Sequence, residues 1–246
     1  MIADISVFGD ALRFIQENPG LLWDKVVEQL ELSAAAIGVG LLVALPIGIG
    51  LGHLRRFSFV AISVANVGRA LPTLAVIAVG IVFLPVGFTV VLIALVVLAV
   101  PPILTNAYVA VDEVDRDAVE AARGMGMTPL QVLRRVELPL ALPLLFVGIR
   151  TAAVFIVATA TIAAIAGGGG LGDILVNQAA YRVEGLVAAA LCVSVLALAA
   201  DGAVGLLQRA LTPAGLRVES RAFEPDVTTS VSRFRPSMSK VDGLAD

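Results

Sequence analysis

Glu120-Ala121-Ala122-Arg123-Gly124-Met125-Gly126, closed by Val136-Glu137-Leu138-Pro139, is a charged, helix-forming segment set between two long apolar runs. A chain that crosses a membrane leaves such a segment in water, facing something. Outward from it, apolar runs dominate. Of 246 residues, 59% are hydrophobic and 15% are charged, whereas a soluble domain carries about a quarter charged residues. Between Arg56 and Asp112 the only charged residue is Arg69. Between Glu137 and Asp173 it is Arg150, and between Glu184 and Asp201 there is none. A helix needs about 20 apolar residues to cross hydrocarbon, and backbone groups in lipid must pair internally. The class is an all-α polytopic membrane protein.

Five transmembrane helices are expected, near residues 32–54, within 57–84, and near 88–109, 140–166 and 186–207. Gly68 and Pro72 allow a bend in the second, and Pro101-Pro102 should kink the third, because proline removes a donor and clashes with the preceding turn. Residues 1–30 read as an N-terminal amphipathic segment broken near Asn18-Pro19-Gly20, lying on the membrane surface; an ordinary surface helix is the competing reading. Residues 31–211 form the five-span domain, with a hydrophilic loop over 112–139. Residues 212–246 mix Pro213, Pro225 and Pro236 with polar residues and read as a disordered tail. Arg55 and Arg56, then Arg116, Arg123, Arg134 and Arg135, then Arg209, Arg217 and Arg221 all fall on one side of this topology. The positive-inside rule makes that side cytoplasmic, with the N-terminus outside.

The loop has its own logic. Residues 117–123 form a short helix with acid early and Arg123 late, which suits the helix dipole. Gly124 and Gly126 end it through left-handed backbone angles. A second helix starts at Thr128-Pro129, as cap and first position. Leu130, Val132, Leu133 and Val136 give it an apolar side, and Pro139 either stops it or starts the next span. Glu120 then faces outward, with small Ala121 and Ala122 where a partner can approach. A plain interfacial loop is the blander alternative.

Three ionisable residues fall within spans: Arg69, Arg150 and Asp201. Such residues face protein or water rather than lipid. Arg150 and Asp201 reach similar depths, so an ion pair tying the fourth and fifth spans is one reading, and separate snorkelling is the other. Arg69 serves as a structural tie or lines a pathway. Gly167-Gly168-Gly169-Gly170-Leu171-Gly172 formally contains G-x-G-x-x-G, but a membrane span precedes it instead of a strand, which removes the dinucleotide reading. Small residues at helical spacing in the first span (Ala34 with Gly38, Ala36 with Gly40, Gly48 with Gly52) allow close helix contact. A lone His53 and a lone Cys192 carry no metal or disulfide signal, no catalytic constellation is present, and the net charge of −3 argues against a nucleic-acid partner.

The pattern of Glu120, Ala121, Ala122, Gly124, Gly126, Leu138 and Pro139 resembles the "EAA" loop of bacterial ABC importer permeases, with Val136 where that family often has Ile. The resemblance covers about residues 30–211. Text at Val136-Glu137-Leu138-Pro139-Leu140-Ala141-Leu142-Pro143, Gly148-Ile149-Arg150-Thr151-Ala152 and Ala158-Thr159-Ala160-Thr161 is most similar to the osmoprotectant permeases, those for glycine betaine, carnitine, choline or proline betaine. Methionine-type permeases are the alternative. The resemblance implies a type I-like permease fold in the cell inner membrane. It implies a pair of separate ABC ATPase subunits docked at the Glu120 loop, with ATP and Mg bound there and no cofactor on this chain. It also implies a second permease copy or sister permease, and a substrate-binding protein on the outer side. The turn at Gly168, Gly169 and Gly170 then lies near an outer gate or that docking site; a flexible loop is the competing reading. A self-contained secondary transporter or channel would show internal repeats or mid-membrane coupling charges, and neither is evident.

Overall fold

The computed structural model describes residues 6–55, 59, 63, 64, 66–68 and 72–212. Arg69, most of the expected second span before Pro72, and the tail expected beyond Thr212 lie outside the described residues. Among the described residues every regular element is helical. In order they are α1 (Ser6–Glu17), α2 (Pro19–Leu54), α3 (Thr73–Phe83), α4 (Phe88–Asp112), α5 (Arg116–Gly124), α6 (Pro129–Val132), α7 (Leu138–Thr159), α8 (Gly172–Val176) and α9 (Gln178–Leu211). Four stretches are long and apolar enough to cross a membrane: Pro19–Leu54, Phe88–Asp112, Pro129–Ala166 and Gln178–Leu211. Helix α3 occupies the end of the expected second span, so the order agrees with the five-span reading.

The break at Asn18 is where the sequence placed it. The Asn18 N–H and side-chain amide both donate to the Phe14 carbonyl, at 3.0 and 3.1 Å, and Pro19 opens α2 where a missing N–H costs nothing. The expected boundary near residue 30 is not a boundary. Helix α2 runs through it unbroken for 36 residues, so residues 19–30 are the first turns of the span helix. Helix α1 does not simply lie on a surface either. It packs on α9, with Ala11 buried and the Phe14 ring edge-on to Tyr181 at 6.4 Å, while Phe8 and Leu12 stay exposed.

A strict four-residue stripe on α2 (Leu32, Ala36, Gly40, Ala44, Gly48, Gly52) is buried, most of it against α4. An added Cβ would lie 2.9 Å from Ala99 at Gly40, 2.6 Å from the Leu104 carbonyl at Gly48 and 2.7 Å from the Tyr108 carbonyl at Gly52. Small residues here let two backbones touch, which is how helices gain packing energy without a hydrophobic driving force. Gly38 meets nothing within 4 Å, so only part of the expected small-residue pattern is used. Helix α4 runs on through Pro101 and Pro102. It meets α7 at Gly148, where a Cβ would be 2.5 Å from Asn106.

Proline does not divide the fourth span from the loop. A π turn at Leu133–Glu137 joins α6 to α7, with the Leu138 N–H reaching back to the Leu133 carbonyl. Pro139 has no N–H to give, and the widened turn absorbs that loss. At its other end α7 tightens into a 3-10 helix, Ala160–Ala166. Residues three apart eclipse in that geometry, and Ala160, Ala163 and Ala166 are all fully buried.

Candidate functional site: the coupling segment and the glycine-rich turn

Helix α5 starts at Asp115, whose carboxylate accepts the Asp117 N–H at 2.9 Å. Val119 and Ala122 turn inward, 3% and 1% exposed, onto Val111, Val114 and Val132. Glu120, Ala121 and Arg123 face out. Of the alanine pair, therefore, only Ala121 is at the surface. Ala122 packs on the protein's own core, because α5 needs an apolar face to stay on the bundle.

The helix ends in a paired motif. The Met127 N–H donates to the Ala122 carbonyl at 3.2 Å and the Gly126 N–H to the Arg123 carbonyl at 2.9 Å, with Gly126 at φ +81°. This is the left-handed stop glycine provides. Gly124 is the last helical residue, has no positive φ and meets nothing within 4 Å, so the expected role in ending the helix falls to Gly126 alone. Helix α6 opens with Pro129 in its first turn, and the Thr128 N–H donates to the Gln131 side chain at 2.8 Å.

Leu130 departs from expectation. Val132 is buried and Leu133 and Val136 are half-buried, but Leu130 is 55% exposed and Met125 is 72% exposed. Two bare apolar side chains thus stand on the same capped segment as Glu120 and Ala121. Leu138 and Pro139 are half-buried at the start of α7. The charge read only as part of the closing motif, Glu137, is fully buried. Its Oε2 contacts His53 Nδ1 at the end of α2, and its Oε1 has no hydrogen-bond partner. In the sequence His53 stands as a lone histidine, and no local pattern links it to Glu137, 84 positions away.

Arg150 and Asp201 come together as one alternative foresaw. The guanidinium donates to both carboxylate oxygens, from Nε to Oδ1 and from Nη2 to Oδ2, joining α7 to α9. Gln208 adds a 3.4 Å bond to the Pro143 carbonyl. Snorkelling as separate charges is thereby replaced by a paired fork.

The glycine-rich turn lies apart from the coupling segment, against the first turns of α2. Gly167, Gly169 and Gly170 have φ +67°, +76° and +85°. Gly168 instead packs on Val91 and Ala163. Gly169 and Gly170 are needed twice over. Their backbone angles suit no side chain, and an added Cβ would be 2.6 Å from Glu28 Oε2 or 2.4 Å from Gln29 Oε1. The Gly170 N–H donates to Glu28 Oε2 at 2.7 Å. Lys25 Nζ donates to Glu28 at 2.8 Å and to Asp173 at 2.7 Å. Gln29, fully buried, donates to the Val157 carbonyl at 2.8 Å. None of Lys25, Glu28 or Gln29 was singled out from the sequence, since only the fold brings them to a turn about 140 residues away.

Residues 36–213 match the binding-protein-dependent transport system inner membrane component. The chain belongs to that family. The permease is similar to the choline transport system permease protein OpuBB of Bacillus subtilis (strain 168), 38% identical over 207 residues, or 84% of this chain and 95% of that protein. It is 36% identical, over the same shares, to the glycine betaine/carnitine/choline transport system permease protein OpuCB of the same organism. The carnitine transport permease protein OpuCB of Listeria monocytogenes is 38% identical over 205 residues, covering 83% of this chain and 94% of that one. Among solved structures the permease resembles the MetNI methionine ABC transporter in an inward-facing conformation, with TM-score 0.70 and 25% identity over 80% of this chain and 99% of that one. The resemblance read from the Glu120 loop and the Gly148 run is borne out. The permease is a multi-pass inner-membrane component of a transport system.

Proposed function

We propose that this permease forms the membrane path of an ABC importer for an osmoprotectant: glycine betaine, choline, carnitine or proline betaine. The observation that carries the reading is the capped segment of α5 and α6, on which Glu120, Ala121, Met125 and Leu130 are all exposed. Exposed apolar side chains among charged ones suit a protein contact. A pair of ATPase subunits docks there, binds ATP and Mg, and does the hydrolysis; this chain is not itself an enzyme. The coupling segment faces the cytoplasm and the glycine-rich turn faces outward, where a binding protein delivers solute. A second permease copy or a sister permease completes the path. ATP binding closes the ATPase pair and opens the path outward, and hydrolysis resets it inward. The names of the relatives support the solute class. Selection belongs mainly to the binding protein, in keeping with a chain only 5% aromatic, since cation–π cages for trimethylammonium groups need several rings.

The test is uptake of labelled glycine betaine after osmotic upshift, with and without the gene, and with unlabelled choline, carnitine and methionine as competitors. Loss of uptake that the intact gene restores, and Glu120→Lys does not, supports the reading. A methionine-type solute is the second reading, favoured by the likeness to the methionine transporter's fold; competition by methionine alone would establish it. Uptake that persists without any ATPase would instead indicate a secondary transporter.

A further inference from the structure

We infer that α2 is the element that carries motion of the coupling segment to the glycine-rich turn, gripped by Glu137 through His53 at one end and gripping the turn through Glu28 and Lys25 at the other. The inference rests on the coupling reading above.

The first grip is costly, which argues that it has a use. A carboxyl with no exposure, and with one oxygen lacking any partner, pays a desolvation penalty that an apolar residue would avoid. It sits at the end of the π turn Leu133–Glu137, a geometry frequent at functional positions. The neighbouring Arg55 caps α2 in a left-handed conformation and donates from Nη2 to the Val114 carbonyl at 3.0 Å, just ahead of α5. The end of α2 is therefore fastened to both flanks of the coupling segment.

The middle is closely packed. Helix α2 stays continuous through Pro46, Gly48 and Gly52 bring it onto the α4 backbone with no room for a methyl group, and close-packed interiors pass displacement on rather than absorbing it. From His53 to Glu28 is about 37 Å at the ordinary helical rise. At the far end the grip is on backbone and charge: the Gly170 N–H on Glu28, and Asp173 on Lys25. What it grips has an unusual backbone: a 3-10 helix of seven residues, longer than the usual three or four, leads into a turn with three left-handed glycines. A packed helix bonded to the coupling segment at one end and to this turn at the other carries displacement between them.

The experiment uses the whole transporter, with permease, ATPase and binding protein in proteoliposomes, and labelled glycine betaine as probe. ATP hydrolysis and uptake are measured together. His53→Ala, Glu137→Ala and Glu28→Ala should each keep the ATPase bound and hydrolysing while uptake per ATP falls about ten-fold, the upper part of what coupling positions command. The reversed pair His53→Glu/Glu137→His should recover most of that loss. The apolar pair His53→Leu/Glu137→Met guards against misfolding, because buried ion pairs can be replaced this way at little cost in stability. It should assemble and remain poorly coupled. Normal uptake per ATP in the apolar pair, or in all three single variants, would overturn the inference. Failure of the docking reading looks different: Glu120→Lys would then leave the ATPase bound and uptake normal, whatever the ratio in the α2 variants.

Discussion

The coupling segment and the glycine-rich turn both interrupt the apolar chain, and they differ in how far away their supports lie in sequence. The first is stabilised by near neighbours in sequence: Asp115 caps Asp117, Gly126 and Met127 close on Arg123 and Ala122, and Gln131 reaches Thr128. The second opens with the same paired closure, Gly167 and Gly168 on Ala164 and Ala163, and the Asp173 N–H returns to the Gly170 carbonyl. It adds what the first lacks, a hold on the Gly170 N–H from α2, about 140 residues earlier. The first segment thus keeps its shape through its own bonds. The turn is tied in addition to a helix distant in sequence.

Four substitutions break or sharpen that contrast. Gly170→Ala should cost most, about 3 kcal/mol, because a left-handed alanine costs 1–2 kcal/mol and the overpacking against Gln29 adds about as much again. A fall in the melting temperature of the purified permease would register it, and an unchanged value would mean that Gln29 does not pack against Gly170. Gly126→Ala should cost about 1–2 kcal/mol for the same backbone reason but without a clash, since nothing lies within 4 Å of its Cβ. The loss should appear as faster amide exchange confined to 125–128, and exchange spreading into α7 would contradict a self-contained segment. Glu28→Gln should cost about 1 kcal/mol, a hydrogen-bond loss discounted because the side chain is 43% exposed and screened. Faster exchange at the Gly170 amide is the check; an unchanged rate would remove Glu28 from the turn's support. Gly124→Ala should be neutral or stabilising by up to about 1 kcal/mol, since the position is helical and open. A loss of melting temperature there would show a constraint that neither packing nor backbone angle explains.

How legible these features were depended on the range of the interaction. The α5 helix, its dipole pattern, the Thr128-Pro129 start and the break at Asn18 were readable because each depends on residues within a few positions. The Arg150–Asp201 fork was readable as one of two options, since helix rise alone puts both at similar depth. Ala122 and Leu130 were misjudged for a common reason: small or apolar character says that a residue can be buried, whereas the way its helix is rotated on the bundle decides whether it is. Gly124 was misassigned because two glycines two residues apart are equally able to stop a helix, and hydrogen bonding selected Gly126.

By itself, then, the sequence determined the membrane class, the order of the spans, the capped coupling segment and the family. Apolar length, helix-end chemistry and motif spacing are properties of contiguous residues. Only the tertiary structure decided that Glu137 is buried against His53, that Glu28 and Lys25 grip the glycine-rich turn, and that α2 runs unbroken between them. Those facts depend on which helices touch, and contact between residues 84 or 142 positions apart is set by the packing of whole helices, which no local pattern records.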